Sequence, residues 1–189
     1  MGKVSVFNQI SLDGYFTDAK GDMSWAHEGS DDPEFKEFVS GNASVGEGTL
    51  LFGRITYQMM ASFWPTPMAA QQMPEVAEGM NRLSKVVFSK TLDKVTWQNT
   101  TLVKADPVEA VKKMKKESSS DMVIMGSGTI ISQLAAAGLI DSYQFVISPL
   151  ALGKGRTMFD GVPKRVDMKH TKTRTFKNGK VVLWYESVT

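Results

Sequence analysis

The sequence predicts an α/β fold: a mixed central sheet, parallel for most of its width, with helices on both faces and a C-terminal antiparallel hairpin. Three observations predict it. Apolar, strand-like runs alternate with segments of helical periodicity over residues 4–148. Two strand-to-helix junctions carry glycine, at Phe52-Gly53-Arg54 and at Met125-Gly126-Ser127-Gly128. Near the C-terminus, two strand-like segments flank Asn178-Gly179, the strongest short hairpin signal.

Residues 4–10 read as the first strand, with Val4, Val6, Phe7 and Ile10 apolar and Ser11-Leu12-Asp13-Gly14 as the turn that ends it. Residues 17–32 form a polar loop rich in Gly and Asp. Pro33 opens a helix with Phe35, Phe38 and Val39 spaced three and four apart, and Asp31 or Asp32 is its natural N-cap. A short strand over 49–52 ends at Gly53. The helix over 54–63 turns Tyr57, Met60 and Ala61 inward, and Pro65 and Pro67 end it. Residues 68–83 read as one further helical stretch. Strands follow at 85–89 and 100–104, then an amphipathic helix over 107–117 with Val108, Val111 and Met114 on one face. The strand over 121–126 feeds a helix that runs through Ala137, with Gly138 suited to its C-terminal cap. A strand over 141–148 and a polar loop over 153–160 precede the hairpin of 165–176 with 180–188.

A chain of 189 residues, 42% hydrophobic, suits one domain with a sizeable core. A net charge of +2 is too small to argue for a nucleic-acid partner. The absence of cysteine excludes disulfides, thiolate metal sites and cysteine nucleophiles. The two histidines, His27 and His170, lie far apart, so a histidine-rich metal site is not expected. No apolar run reaches membrane-span length. The first residues run straight into a strand pattern with no signal-peptide core, so the cytoplasm is the expected location.

The chemistry is expected at the two glycine-marked junctions. The first backbone N–H groups of a helix are unpaired and its dipole is positive there, so an anion is stabilised, and glycine permits close approach. Two such junctions in one sheet suit a dinucleotide. A plain tight turn is the competing reading of each junction taken singly, and the spaced-glycine fingerprint of Rossmann domains is not present. Arg54 puts a cation at a helix start, against the dipole, which points to an anionic partner as readily as to a surface ion pair. Ser89-Lys90, at the next strand end, is either a cap of solvated residues or a hydroxyl and a cation that converge with Arg54 and Thr56 on a 2′-phosphate, which would favour NADPH over NADH. Asp31, Asp32, Glu34 and Glu37 surround the start of the helix at Pro33; capping explains any one of them, and one, Asp32, is the candidate catalytic acid. Trp25, Phe35 and Trp64, with Phe38 and Phe63, are either the walls of an aromatic-ring site or plain core.

At these residues the chain resembles the stand-alone relatives of the reductase domain of the bifunctional riboflavin-biosynthesis deaminase-reductase, which share the three-layer dihydrofolate reductase-like fold. The likeness covers nearly the whole chain. It is carried by Ser11-Leu12-Asp13-Gly14, Leu51-Phe52-Gly53-Arg54-Ile55-Thr56-Tyr57, Phe63-Trp64-Pro65 and Lys85-Val86-Val87-Phe88-Ser89-Lys90-Thr91-Leu92. Gly126-Ser127-Gly128-Thr129, Ala137-Gly138-Leu139-Ile140-Asp141, Pro149-Leu150-Ala151-Leu152-Gly153-Lys154-Gly155 and Met158-Phe159 complete it.

The resemblance implies NADPH as cofactor. It places Gly53, Arg54 and Thr56 at the adenosine-phosphate side, Ser89 and Lys90 at the 2′-phosphate, Gly126, Ser127, Gly128, Thr129 and Ile130 at the pyrophosphate, and Gln9, Ile10 and Phe16 beside the nicotinamide. It implies reduction of a small heterocycle of pyrimidine or pteridine type, as in 5-amino-6-(5-phosphoribosylamino)uracil reductase, by a homodimer. Two alternatives stand beside it: a dihydrofolate reductase, and an NADPH-binding protein without catalysis. The family's pterin-contacting threonine falls near Ile147 or Ser148, and the arginine that grips a folate tail has only Arg82 as a counterpart.

Overall fold

The computed structural model describes residues 1–29, 31–44 and 48–188, the side chains of residues 43 and 44 excepted. The strand β1 (Val4–Ser11) lies inside an eight-stranded sheet. On one side of it come β6 (Asp121–Met125), β3 (Gly48–Gly53), β4 (Ser84–Phe88) and β5 (Thr100–Val103). On the other come β7 (Ser142–Ser148), β10 (Val181–Ser187) and β9 (Met168–Thr175). Every pairing from β5 across to β7 is parallel, and β10 is antiparallel to both of its neighbours. This is the mixed, mostly parallel sheet with a terminal hairpin that the alternation of elements predicts.

Strand alternation sorts the core into two faces. Val4, Val6, Leu51 and Ile124 point to the face covered by the helices α5 (Pro107–Glu117) and α6 (Gly128–Ala136), through Val111, Ile130, Ile131 and Leu134. Leu50, Phe52 and Val87 point the other way, onto Tyr57 of α2 (Arg54–Phe63) and Val76 and Met80 of α4 (Pro74–Arg82). Further along that face, Phe35 and Phe38 of α1 (Pro33–Ser44) pack on Val146, Phe176 and Val182.

The structure corrects several boundaries. The stretch over 68–83 is two helices, α3 (Pro67–Gln72) and α4, because Pro74 forces Met73 out of the helical region (φ −142°, ψ 65°). Pro67 opens α3 at its first turn, where a missing N–H costs nothing, rather than closing α2. The polar loop over 17–32 holds β2 (Thr17–Asp18), which pairs with β8 (Gly155–Arg156), and a 3-10 turn, Ser24–His27. The hairpin is shorter than expected at its start, since β9 begins at Met168.

Two side chains tie elements that lie far apart in sequence. Lys85, 1% exposed, donates from Nζ to the carbonyls of Met80 (2.8 Å), Asn81 (3.2 Å) and Leu83 (2.6 Å), and lies 4.4 Å from the Trp97 ring centroid. It closes the C-terminal end of α4, where a cation complements the helix dipole. Asp32 caps α1, its Oδ1 accepting from the amides of Glu34 (2.9 Å) and Phe35 (3.2 Å), while Oδ2 accepts from the amide of Asn178 at the hairpin turn (3.0 Å). Among the described residues no helix is long and apolar enough to cross a membrane, and no three His, Asp or Glu side chains are placed to hold a metal ion.

Two tests follow from these ties. Lys85→Met keeps the apolar stem but takes the donor from the Met80 and Leu83 carbonyls, while that of Asn81 keeps Gln98 and Asn99, so chemical denaturation should show a loss of about 1–3 kcal/mol. For Asp32, burial acts to raise the carboxyl pKa, but the amides of Phe35, Asn178, Glu34 and Lys177 outweigh it and hold it below 3.8. A depressed carboxylate stabilises the fold above the unfolded pKa and loses that contribution as pH falls through the folded one. Asp32→Ala should therefore lower the melting temperature by a few degrees at neutral pH, and its deficit should shrink below about pH 4.

Candidate functional site

The two glycine-marked junctions meet at the C-terminal edge of the sheet, because β3 and β6 are direct neighbours. Their side chains lock together. Ser127 Oγ accepts from the amide of Gly53 (2.8 Å), and Thr56 Oγ1 accepts from the amide of Ser127 (3.1 Å). Both side chains belong to buried residues. Ser127 sits in the left-handed region (φ 58°, ψ 59°), a conformation that costs roughly 1 kcal/mol for a residue with a Cβ. The two bonds to α2 and its entrance offset that cost. Gly126 also has positive φ (60°), and a Cβ there would lie 3.0 Å from Thr56 Cγ2, so only glycine fits.

A third strand completes the site. β1 pairs with β6 only through Phe7, opposite Met125, yet it pairs with β7 as far as Ser11. Past Phe7 the sheet splits, and the β6-side edge of residues 8–10 faces the gap. Asn8 spans the split: its Oδ1 accepts from the amide of Gly126 (3.0 Å), and its Nδ2 points at the Met158 sulfur (2.7 Å). Such a split at the carboxyl ends of parallel strands, where connections leave to opposite sides, is where open α/β sheets bind ligands.

Loops are clamped over this edge. Asp13 of the Ser-Leu-Asp-Gly turn accepts from Ser11 Oγ (2.6 Å) and from the amides of Leu152 (3.0 Å) and Gly153 (2.7 Å). The Ser11 hydroxyl first, and those two amides with it, hold the Asp13 carboxyl below the ordinary carboxylate range. Phe16 is held by the hydrogen bond its amide donates to the Arg156 carbonyl (2.9 Å), and its ring lies on Gly128 so closely that a Cβ there would meet it at 2.8 Å.

The structure thus brings together Gly53, Thr56, Gly126, Ser127, Gly128 and Ile130, with Phe16 over the turn. Ile130 Cγ1 would lie 3.5 Å from a Cβ at Gly53. Thr129 and Arg54 are exposed; the Arg54 guanidinium donates to Gln58 Oε1 (3.3 Å). Gly53 is in register with Phe88, so Arg54 and Ser89 leave adjacent strand ends. Ser89 Oγ accepts from the amides of Thr91 (3.2 Å) and Leu92 (3.0 Å), and Lys90 is exposed beside it. Ile10 packs against the core under α6, while Gln9 shares the opposite face with Phe7. Gln9 Oε1 is buried with no hydrogen-bond partner, as is Gln144 Nε2 on the neighbouring strand, and these are the two such side-chain atoms among the described residues.

The aromatic candidates do not form one wall. Phe35 is in the core under α1, and Trp25, buried in the 3-10 turn, donates from its indole to the Asp22 carbonyl (3.3 Å). Trp64 packs in the separate core under α2 and α4, with its indole directed at Met60 Sδ (3.1 Å). Asp32 spends its carboxylate on the three backbone amides described above. Sequence reasoning missed Asn8. Its signal was available: a polar residue at the inward position of the run Val4, Val6, Asn8, Ile10. It also missed Lys180 and Gln144, whose burial depends on α1 and the 3-10 turn covering the sheet.

Residues 2–182 match the model of the RibD C-terminal domain. The chain belongs to that family. The YyaP protein of Bacillus subtilis is 27% identical over 178 residues, covering 93% of this chain and 90% of its own. A diaminohydroxyphosphoribosylaminopyrimidine deaminase/5-amino-6-(5-phosphoribosylamino)uracil reductase of Thermotoga maritima superposes with a TM-score of 0.69 at 15% identity, over 99% of this chain and 57% of the other. Dihydrofolate reductase of Enterococcus faecalis, in complex with NADP(H), superposes with a TM-score of 0.67 at 15% identity, over 100% and 98% of the two chains. The fold of this RibD C-terminal domain protein is therefore the dihydrofolate reductase-like one.

The contact between Phe16 and Gly128 makes a separable prediction. Gly128→Ala alone should destabilise by about 1–3 kcal/mol, since the ring must move. In the background Phe16→Leu the same change should cost much less, and a double-mutant cycle on urea midpoints reads the difference.

Proposed function

We propose that this protein is an NADPH-dependent reductase of a pyrimidine- or pteridine-type heterocycle, of the 5-amino-6-(5-phosphoribosylamino)uracil reductase type. The observation that carries the reading is the brace of Thr56 and Ser127, which fixes two helix entrances side by side next to the split between β1 and β6. The donor set suits a dinucleotide phosphate. The first amides of α2 and α6 have no acceptor inside their helices, Thr129 offers an exposed hydroxyl, and Arg54, Ser89 and Lys90 gather at the ends of β3 and β4. Gly128 carries no Cβ, and that leaves room for the Phe16 ring over the turn.

When bound, the cofactor supplies a hydride. The chain's own part is to bind, orient and exclude water. Arg54 and Lys90 would neutralise a 2′-phosphate. Residues 126–130 would hold the pyrophosphate. Phe16, Ile10 and Gln9 would flank the nicotinamide, with the orphaned Gln9 Oε1 able to accept from its carboxamide. The family and the NADP(H) complex of the dihydrofolate reductase neighbour support this reading. A homodimer in the cytoplasm belongs to the same proposal.

Calorimetry tests it. NADPH should bind saturably, and Arg54→Ala should weaken NADPH about tenfold or more while leaving NADH nearly unchanged. An equal loss for both nucleotides would remove Arg54 from the 2′-phosphate, and no binding of either would sink the redox reading.

A further inference from the structure

Asn178 is the one asparagine of the chain that a glycine follows. Such a pair carries its own chemistry, because a glycine nitrogen, with no Cβ beside it, can close on the preceding carboxamide. The Gly179 nitrogen gives up its proton and bonds to Asn178 Cγ. The Cγ–Nδ2 bond breaks, and Nδ2 leaves as ammonia, carrying that proton. Water then adds to either carbonyl of the five-membered imide, one of its two C–N bonds breaks, and aspartate or isoaspartate results. One water is consumed, one ammonia is released, and nothing is oxidised or reduced.

The fold holds both reacting groups elsewhere. The Gly179 N–H is spent on the Phe176 carbonyl (3.0 Å). The Asn178 carboxamide is fixed at both ends: Nδ2 donates to the Gly29 carbonyl (2.8 Å), and Oδ1 accepts from the Lys180 amide (3.0 Å). Gly29 lies so close that a Cβ there would stand 3.3 Å from Asn178 Cβ. Asp32 acts twice. Its Oδ2 takes the Asn178 amide (3.0 Å), which pins the backbone of the residue under attack, and its negative charge opposes the anion that ring closure creates. Gly179 itself is exposed, so water and hydroxide reach the turn as soon as these bonds open.

We propose that Asn178-Gly179 is a self-modification site, held dormant by Gly29 and Asp32, and that its conversion to aspartate or isoaspartate uncouples the hairpin from the start of α1. The new carboxylate has no hydrogen to donate to the Gly29 carbonyl, and it stands beside the Asp32 carboxylate. One tie is lost and the other is set against a like charge. Isoaspartate also adds a methylene to the main chain inside the turn, which disrupts the pairing of Phe176 with Lys180. Refolding does not reverse the change, because the ammonia has gone. Cyclisation proceeds from the opened turn, so its rate is the intrinsic rate scaled by the fraction of time these bonds are open.

Incubation of the full chain at mildly alkaline pH tests this, read by the mass gain of amide-to-acid exchange and localised to residue 178 by peptide mapping. The wild type in native buffer should convert at least about tenfold more slowly than in urea above its unfolding midpoint. Asp32→Ala should convert about tenfold faster than the wild type in native buffer, and at the same rate in urea, where only the intrinsic chemistry remains. Should Asp32→Ala fail to fold, the wild type in urea below the midpoint carries the test, and its conversion should rise before global unfolding begins. Asn178→Asp, which makes one product directly, should melt a few degrees below the wild type, and adding Asp32→Ala to it should lower the melting temperature little further. Equal native rates for the wild type and Asp32→Ala, conversion in native buffer as fast as in urea, or no conversion at residue 178 in urea would overturn the proposal. So would a sub-midpoint rate that stays flat, or an Asn178→Asp protein as stable as the wild type.

Discussion

Two hydrogen bonds decide the geometry of the site. Ser127 Oγ takes the Gly53 amide, and Thr56 Oγ1 takes the Ser127 amide. Neither helix entrance is positioned by its own sequence alone; each fixes the other. The brace holds Ser127 in a left-handed conformation that its Cβ disfavours, and it forces glycine at 126, where Thr56 leaves no room. Thr56 and Ser127 spend polar atoms on each other's elements, while Arg54 and Thr129 beside them are exposed.

Around that rigid edge, polar side chains substitute for regular secondary structure. Asp13 ties the turn after β1 to the loop after β7, Asn8 bridges the split between β1 and β6, and Asp32 joins the start of α1 to the hairpin turn. Each replaces a backbone partner that the diverging strands no longer supply. The two buried lysines divide by the same accounting. Lys85 is fully used by a helix end, so its role is explained by structure. Lys180 has two neutral acceptors, the Ala26 carbonyl and Ser148 Oγ, and joins the hairpin to the 3-10 turn and the end of β7.

Much of this is legible in the sequence. The alternation of strand and helix signals, the Asn178-Gly179 hairpin and the two glycine junctions each correspond to an observed element, since each rests on local backbone preferences. The misread stretch over 68–83 has a local cause as well: Pro74 breaks a helix whose apolar spacing continues through it. The aromatic set was not legible as a group. Phe35 and Trp64 serve separate cores, and which core a side chain joins depends on which neighbour covers it. Asp32 was legible as a cap from its place before Pro33, and its second bond, to Asn178, was not.

The sequence by itself determined the order and type of the elements, the family to which the chain belongs, and the two glycine-marked strand-to-helix junctions. These follow from short-range rules of periodicity, capping and glycine geometry, which operate within a few residues. Tertiary structure alone decided that β6 lies between β3 and β1, and this order sets the two glycine entrances against each other. It also decided that the sheet opens past Phe7 and that Lys180 is buried without an anion. Those outcomes depend on contacts between residues 71 to 154 positions apart, and no local rule reaches that far.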